Sequence, residues 1–230
     1  MIEVRKLLLC ALALGTLLAS VGSAQSLEKT IMLPDTLECP GSPYSLVRNP
    51  SNGKVYVGCE SGVLVIDGTT NRRLACLKTG GWVMAMSYNP QNNKVYCAEA
   101  DLNKVVVIGG ATDSVIATIG VGFEPRALCY NSKNNRIYCA NHQDSDVTVI
   151  DGATNSVVAT VRVGDGPYGL CYNPQNNKVY CADQWSGGDV AVMDGAKDSV
   201  IATVWGAPGW MDTQKHGCSM EGMRDTSRIS

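Results

Sequence analysis

Residues 88–98 read YNPQNNKVYCA, and residues 172–182 repeat the same eleven letters. Between them, residues 130–140 read YNSKNNRIYCA, and a weaker copy, RNPSNGKVYVG, occupies residues 48–58. Tyr88, Tyr130 and Tyr172 are thus spaced by 42 residues twice. A second block keeps the same beat: GATDSVIATI at 110–119, GATNSVVATV at 152–161 and GAKDSVIATV at 195–204, with GTTNRRLACL at 68–77 as its degenerate first copy. Repetition at a fixed period of this length is the signature of a repeat architecture, in which each unit buries its apolar face against its neighbours.

Within one period the pattern is strand-like throughout. Ala127 to Tyr130 is a short apolar run closed by Asn131-Ser132-Lys133-Asn134-Asn135. Arg136 to Ala140 follows, then a polar loop, then Val147 to Ile150, stopped by Asp151-Gly152-Ala153-Thr154-Asn155. Val157 to Val161 completes the unit before Gly164-Asp165-Gly166-Pro167. Asn and Asp tolerate left-handed backbone and bond their own main chain, Gly supplies positive φ, and Pro rejects a ladder position. Asp67, Asp151 and Asp194 are read in this way as turn-forming aspartates. Four short strands in each period of roughly 40–45 residues match a β-propeller blade. The fold class expected is therefore all-β, a propeller of four-stranded antiparallel blades with about four blades present. First strands near Pro43, Val83, Pro125 and Pro167 mark the four units.

These strands resemble the YVTN family of β-propeller repeats. Val95-Tyr96-Cys97-Ala98, Ile137-Tyr138-Cys139-Ala140-Asn141 and Val179-Tyr180-Cys181-Ala182 stand for its first element. Val65-Ile66-Asp67, Val149-Ile150-Asp151 and Val192-Met193-Asp194 stand for its second. Ala117-Thr118-Ile119-Gly120-Val121-Gly122 and Ala159-Thr160-Val161-Arg162-Val163-Gly164 stand for its third. Cys replaces the family's Val, and Gly109 takes the place of the turn aspartate. The resemblance covers roughly residues 35–210 and implies a blade array; the family includes archaeal surface-layer proteins.

The ends of the chain carry no repeat. Arg5 and Lys6 precede an apolar run from Leu7 to Val21, followed by Gly22-Ser23-Ala24. That order is a secretory signal peptide with cleavage expected after Ala24, and the run is shorter than the ~20 residues that span a bilayer. The organisation expected is a signal peptide over 1–24, a propeller array over 25–210 and a non-repeat tail over 211–230. Leu33–Leu37 could supply a closing fourth strand. After Val204 a further unit begins with Gly206-Ala207-Pro208 and then the pattern stops, with Lys215 and His216 where another Asn-Pro would fall. A reading frame truncated or shifted near Trp210 is favoured over a small or open array that finishes its ring by self-association.

Export, a formal charge of −2 and the absence of any basic field argue for a secreted, periplasmic or cell-surface protein with no nucleic-acid partner and no membrane span after cleavage. No haem-attachment C-x-x-C-H, no G-x-S-x-G and no H-E-x-x-H occurs, so no cofactor, metal or catalytic residue is expected. The function expected is a non-enzymatic protein-binding or cell-surface module. The alternatives are a fragment of a secreted propeller enzyme of lactonase or redox type, and a carbohydrate-binding propeller using Trp82, Trp185 and Trp210. Candidate binding residues lie in the loops after each second strand: Glu99, Asn141, His142, Asp144, Asp183 and Trp185. Loops fixed by a rigid scaffold commonly carry function; a solvated turn is the bland reading. Cys10 is the one cysteine of ten that cleavage would remove. If the first hairpin loop has three residues, Cys129 faces Cys139 and Cys171 faces Cys181, two candidate disulfides, with Cys97 left free opposite Ser87.

Overall fold

The computed structural model describes residues 41–185 and 188–205. The expected signal peptide, the closing strand expected over 33–37, Trp210 and the tail all lie outside the described residues. Sixteen strands form four antiparallel sheets of four, each in chain order. The first sheet holds β1 (Pro43–Arg48), β2 (Lys54–Cys59), β3 (Gly62–Asp67) and β4 (Arg73–Lys78); the second holds β5 (Val83–Asn89), β6 (Lys94–Glu99), β7 (Lys104–Gly109) and β8 (Ser114–Gly120). The third holds β9 (Pro125–Asn131), β10 (Arg136–Asn141), β11 (Asp146–Asp151) and β12 (Val157–Arg162). The fourth holds β13 (Pro167–Asn173), β14 (Lys178–Asp183), β15 (Val190–Asp194) and β16 (Ser199–Val204). The sheets follow one another as blades, β1 packing on β5, β5 on β9 and β9 on β13, with no comparable packing of β13 back onto β1 among the described residues.

Local chemistry accounts for the breaks. Asn89, Asn131 and Asn173 each accept main-chain N–H bonds two residues on, from Gln91, Lys133 and Gln175. Four residues later Asn93, Asn135 and Asn177 take positive φ near 50°. Asp67, Asp151 and Asp194 accept from the N–H groups of Thr69 and Thr70, Ala153 and Thr154, and Ala196 and Lys197. Those donors hold the carboxyls of Asp67 and Asp151 below the usual aspartate range. They are turn residues, as the sequence reading has them.

The core lies between blades. One cluster joins Tyr56, Val63 and Val65 to Val95, Cys97, Val106 and Ile108; a second joins Tyr96, Val105 and Val107 to Ile137, Cys139 and Ile150; a third joins Tyr138, Val147 and Val149 to Val179, Cys181 and Met193. Second and third strands are therefore apolar on both faces, while β4, β8, β12 and β16 form the exposed outer edge.

The expected disulfides are corrected by the hairpin register. The β9–β10 loop has four residues, Ser132 to Asn135, so Cys129 pairs with Tyr138 and Cys139 with Leu128. Cys171 likewise pairs with Tyr180, and Cys181 with Leu170. A shift of one residue turns side chains to opposite faces of a sheet, and all four cysteines are free thiols. Burial pushes the Cys129 thiol up to about 12 and raises Cys97, Cys139 and Cys181 as well. They act as small core side chains. Cys171 alone among these five is exposed.

Candidate binding face

The second strand of blades two, three and four ends on a polar residue at one equivalent position, Glu99, Asn141 and Asp183, opposite Val83, Pro125 and Pro167. All three are buried. A glycine in the lead-in loop of the same blade makes room for each head group. A Cβ on Gly81 would stand 2.7 Å from Glu99 Oε2, one on Gly122 would stand 2.8 Å from Asn141 Nδ2, and one on Gly164 would collide with Asp183 Oδ2.

The three heads are satisfied to different degrees. Asn141 Nδ2 donates to Asp146 Oδ1 and Thr148 Oγ1, both at 2.7 Å. Glu99 Oε2 lies 3.1 Å from Lys104 Nζ, yet the angle is poor and neither oxygen accepts a hydrogen bond among the described residues. Asp183 Oδ1 takes the Cys181 thiol at 3.6 Å, while Oδ2 has no partner among the described residues. Burial raises the Asp183 carboxyl above the usual aspartate range, and the thiol and the Gly164 N–H offset it only in part. Because the folded state holds this proton more tightly than the unfolded chain, the associated stability is present at acid pH. It is lost as pH rises from the ordinary aspartate range through the raised value. Asp183→Asn, which copies blade three, is expected to stabilise the protein by about 1 kcal/mol at neutral pH. Denaturant melts at pH 7 and pH 3.5 check this: the gain should vanish at the lower pH.

His142 is a core histidine at the rim rather than part of a solvated turn. Its ring meets Trp185 edge-on with centroids 4.3 Å apart and Tyr168 at 5.8 Å. Nε2 is 3.0 Å from Gln184 Oε1. Among the described residues Nδ1 makes no hydrogen bond, and it lies 3.5 Å from Glu124 Oε2. Burial raises the Glu124 carboxyl, but hydrogen bonds and charge from Arg126, Gln143 and His142 outweigh it and hold the group below its usual range.

Asp144 positions rather than presents itself. Its Oδ2 accepts the Phe123 N–H at 2.7 Å, as Asp101 Oδ1 accepts the Trp82 N–H at 2.6 Å. In blade four the Gln184 N–H donates to the Gly166 carbonyl at 2.9 Å and the Trp185 N–H to the Asp165 carbonyl at 3.1 Å, as the His142 N–H donates to the Glu124 carbonyl at 3.0 Å and the Gln143 N–H to the Phe123 carbonyl at 3.3 Å in blade three. The loops are also tied between blades, Glu124 N–H to Asn103 Oδ1 and Val163 N–H to the Ser145 carbonyl. Lead-in loops and second-to-third-strand loops therefore share one end of the array. There Trp82, Phe123, Tyr168 and Trp185 stand 52–58 % exposed. Trp82 lies one residue and Phe123 two residues before the first strand of its blade, so Asp101 and Asp144 hold aromatics at neighbouring rather than equivalent places.

Among the described residues no group of three His, Cys, Asp or Glu could hold a metal ion, and no helix is long and apolar enough to cross a membrane.

The fold is a β-propeller. The chain is similar to Kuenenia stuttgartiensis hydrazine synthase, with a TM-score of 0.67 at 18% identity over 78% of this chain and 52% of that one. It is also similar to U3-55K, with a TM-score of 0.61 at 17% identity over 73% of this chain and 53% of that one. Both are β-propeller proteins, and at such identities the likeness concerns the fold alone. The chain spans about half the length of each. No protein-family model and no curated protein matches it.

Proposed function

We propose that this propeller, built of YVTN-type blades, is a non-enzymatic exported module that binds a protein partner through the end carrying Trp82, Phe123, Tyr168 and Trp185. The exposed aromatics carry the reading. Each stands on a loop held by main-chain or aspartate hydrogen bonds or on the strand that follows it, so little ordering entropy is lost on binding. Aromatic side chains of this kind dominate contact energy at protein interfaces. His142 serves the face by bracing Trp185 and Tyr168, and Glu99, Asn141 and Asp183 serve it by seating the lead-in loops.

The test is a photo-crosslinking residue placed singly at positions 82, 123 and 185, and at 133 on the opposite end, in the exporting cell. Adducts with one defined polypeptide are expected from the first three positions and none from position 133, in material whose N-terminus is Gln25. Adducts with glycan alone would replace the protein-binding reading with the carbohydrate-binding one. An equal yield at position 133, or material retaining Met1, would overturn the proposal.

A further inference from the structure

Each blade is stitched to the next by one polar seam at the end opposite the aromatic loops. Between blades two and three, Tyr96 Oη donates to Asn155 Oδ1 at 2.8 Å and to the Gly152 carbonyl at 3.1 Å. Lys94 Nζ donates to the Gly152 and Ala153 carbonyls at 2.9 Å and to Asn155 Oδ1 at 3.0 Å, and Asn89 Nδ2 donates to Asn135 Oδ1 at 2.8 Å. Between blades one and two, Tyr56 and Lys54 meet Asp113, Asn52 meets the Gly110 carbonyl and Asn49 meets Asn93. Between blades three and four, Tyr138 and Arg136 meet Asp198, Asn134 meets the Gly195 carbonyl and Asn131 meets Asn177.

Among the described residues the array leaves one donor half and one acceptor half unmatched. The donor half is on blade four: the side chains of Lys178 and Tyr180 make no hydrogen bond among the described residues. Tyr180 is partly exposed where Tyr56, Tyr96 and Tyr138 are fully buried, and Asn173 is partly exposed where Asn49, Asn89 and Asn131 are fully buried. The acceptor half is on blade one: Gly68 is exposed where Gly110, Gly152 and Gly195 are buried. Asn71 has φ 56°, matching Asp113, Asn155 and Asp198 at 51°, 59° and 50°, and its N–H donates to the Asp67 carbonyl as theirs do to residues 109, 151 and 194.

The two halves are the seam already seen between blades two and three. Residues 178–182, KVYCA, are identical to 94–98, and residues 67–71, DGTTN, differ from 151–155, DGATN, at position 69 alone. We infer that blade four docks on blade one of a second copy of this chain, with Lys178 Nζ and Tyr180 Oη donating to the partner's Gly68 carbonyl and Asn71 Oδ1. The Asn–Asn contact drops out, because Gly53 stands where Asn93, Asn135 and Asn177 supply an amide. Val57, Leu64 and Ile66 are already buried within the chain, so the contact is made at the polar rim of blade one. It is head-to-tail, using different surfaces on the two copies, and therefore either closes into a ring or grows. The surface is separate from the aromatic end, so Lys178→Glu should leave crosslinking at positions 82, 123 and 185 unchanged.

Sedimentation of the chain, with and without residues 1–24, over a concentration series tests this. Association is expected, weakened about tenfold or more by Lys178→Glu and by Asn71→Lys separately. Both sites are at least partly open in the single chain, and circular dichroism spectra should match the parent. Mixing the two variants should restore association, because the intact donor half of one meets the intact acceptor half of the other and the two substituted halves carry opposite charges. The double variant, which puts opposite charges on the two halves, should associate again. A protein monomeric at every concentration, or an assembly indifferent to both substitutions, would overturn the inference.

Discussion

Tyr96→Ala is expected to destabilise the protein by about 3–5 kcal/mol, a large share of the 5–15 kcal/mol typical of a folded domain. Tyr96 is fully buried between blades two and three and packs with Val105, Val107 and Ile137, and its hydroxyl closes the seam on Asn155. Truncation leaves a cavity at a blade interface and orphans the polar groups around it. Tyr96→Phe, which keeps the ring, should cost about 1 kcal/mol. Tyr180→Ala, at the same place on blade four, should cost well under half of the Tyr96→Ala value when measured on monomer, because no described residue accepts its hydroxyl and its ring is partly in solvent. Urea denaturation at low protein concentration measures all three. Equal losses at Tyr96 and Tyr180 would mean that the open end is in fact covered.

Gly152→Ala is the second large effect. This glycine begins the third-to-fourth-strand turn of blade three, where the side chains of blade two arrive from across the interface. A Cβ there would stand 2.5 Å from Asn89 Nδ2, 2.6 Å from Asn135 Oδ1 and 2.7 Å from the Asn135 carbonyl. One of those atoms is main chain, and the other two form the Asn89–Asn135 bond. Relief therefore either shifts the turn or breaks the seam. Overpacking of this kind costs about 1–3 kcal/mol, and loss of the amide bond adds about 1 kcal/mol. Gly120→Ala is the control: a Cβ there meets nothing within 4 Å, and alanine in a strand should be neutral or stabilising by about 0.5 kcal/mol. Thermal melts of the pair should separate clearly. A Gly152→Ala protein as stable as the parent would show that the seam contributes little.

The blades were legible in the sequence because their causes are local. Alternation, the Asn and Asp turns and the spacing of Tyr88, Tyr130 and Tyr172 each concern residues within one hairpin or one period. The seam left a trace there too, in the cation two residues before each of Tyr56, Tyr96, Tyr138 and Tyr180 and in the Asx residue of each Gly-Ala-Thr or Gly-Ala-Lys turn. Only its pairing was hidden, since the partners stand 57, 59 and 60 residues apart.

Register and placement were decided by tertiary structure. One residue in the length of the β9–β10 loop separates a facing cysteine pair from thiols on opposite sides of a sheet, and letters alone do not set that parity. The candidate residues divided in the same way. Glu99, Asn141 and Asp183 lie beneath the surface because Gly81, Gly122 and Gly164 admit them, whereas Trp82 and Phe123 stand at the surface on loops that Asp101 and Asp144 hold by their N–H groups. By itself the sequence determined that the chain repeats a four-stranded unit and where each strand breaks, since hydrophobic alternation and turn chemistry act within a few residues. Tertiary structure alone decided which side chains meet between blades, because that depends on how one sheet packs against the next.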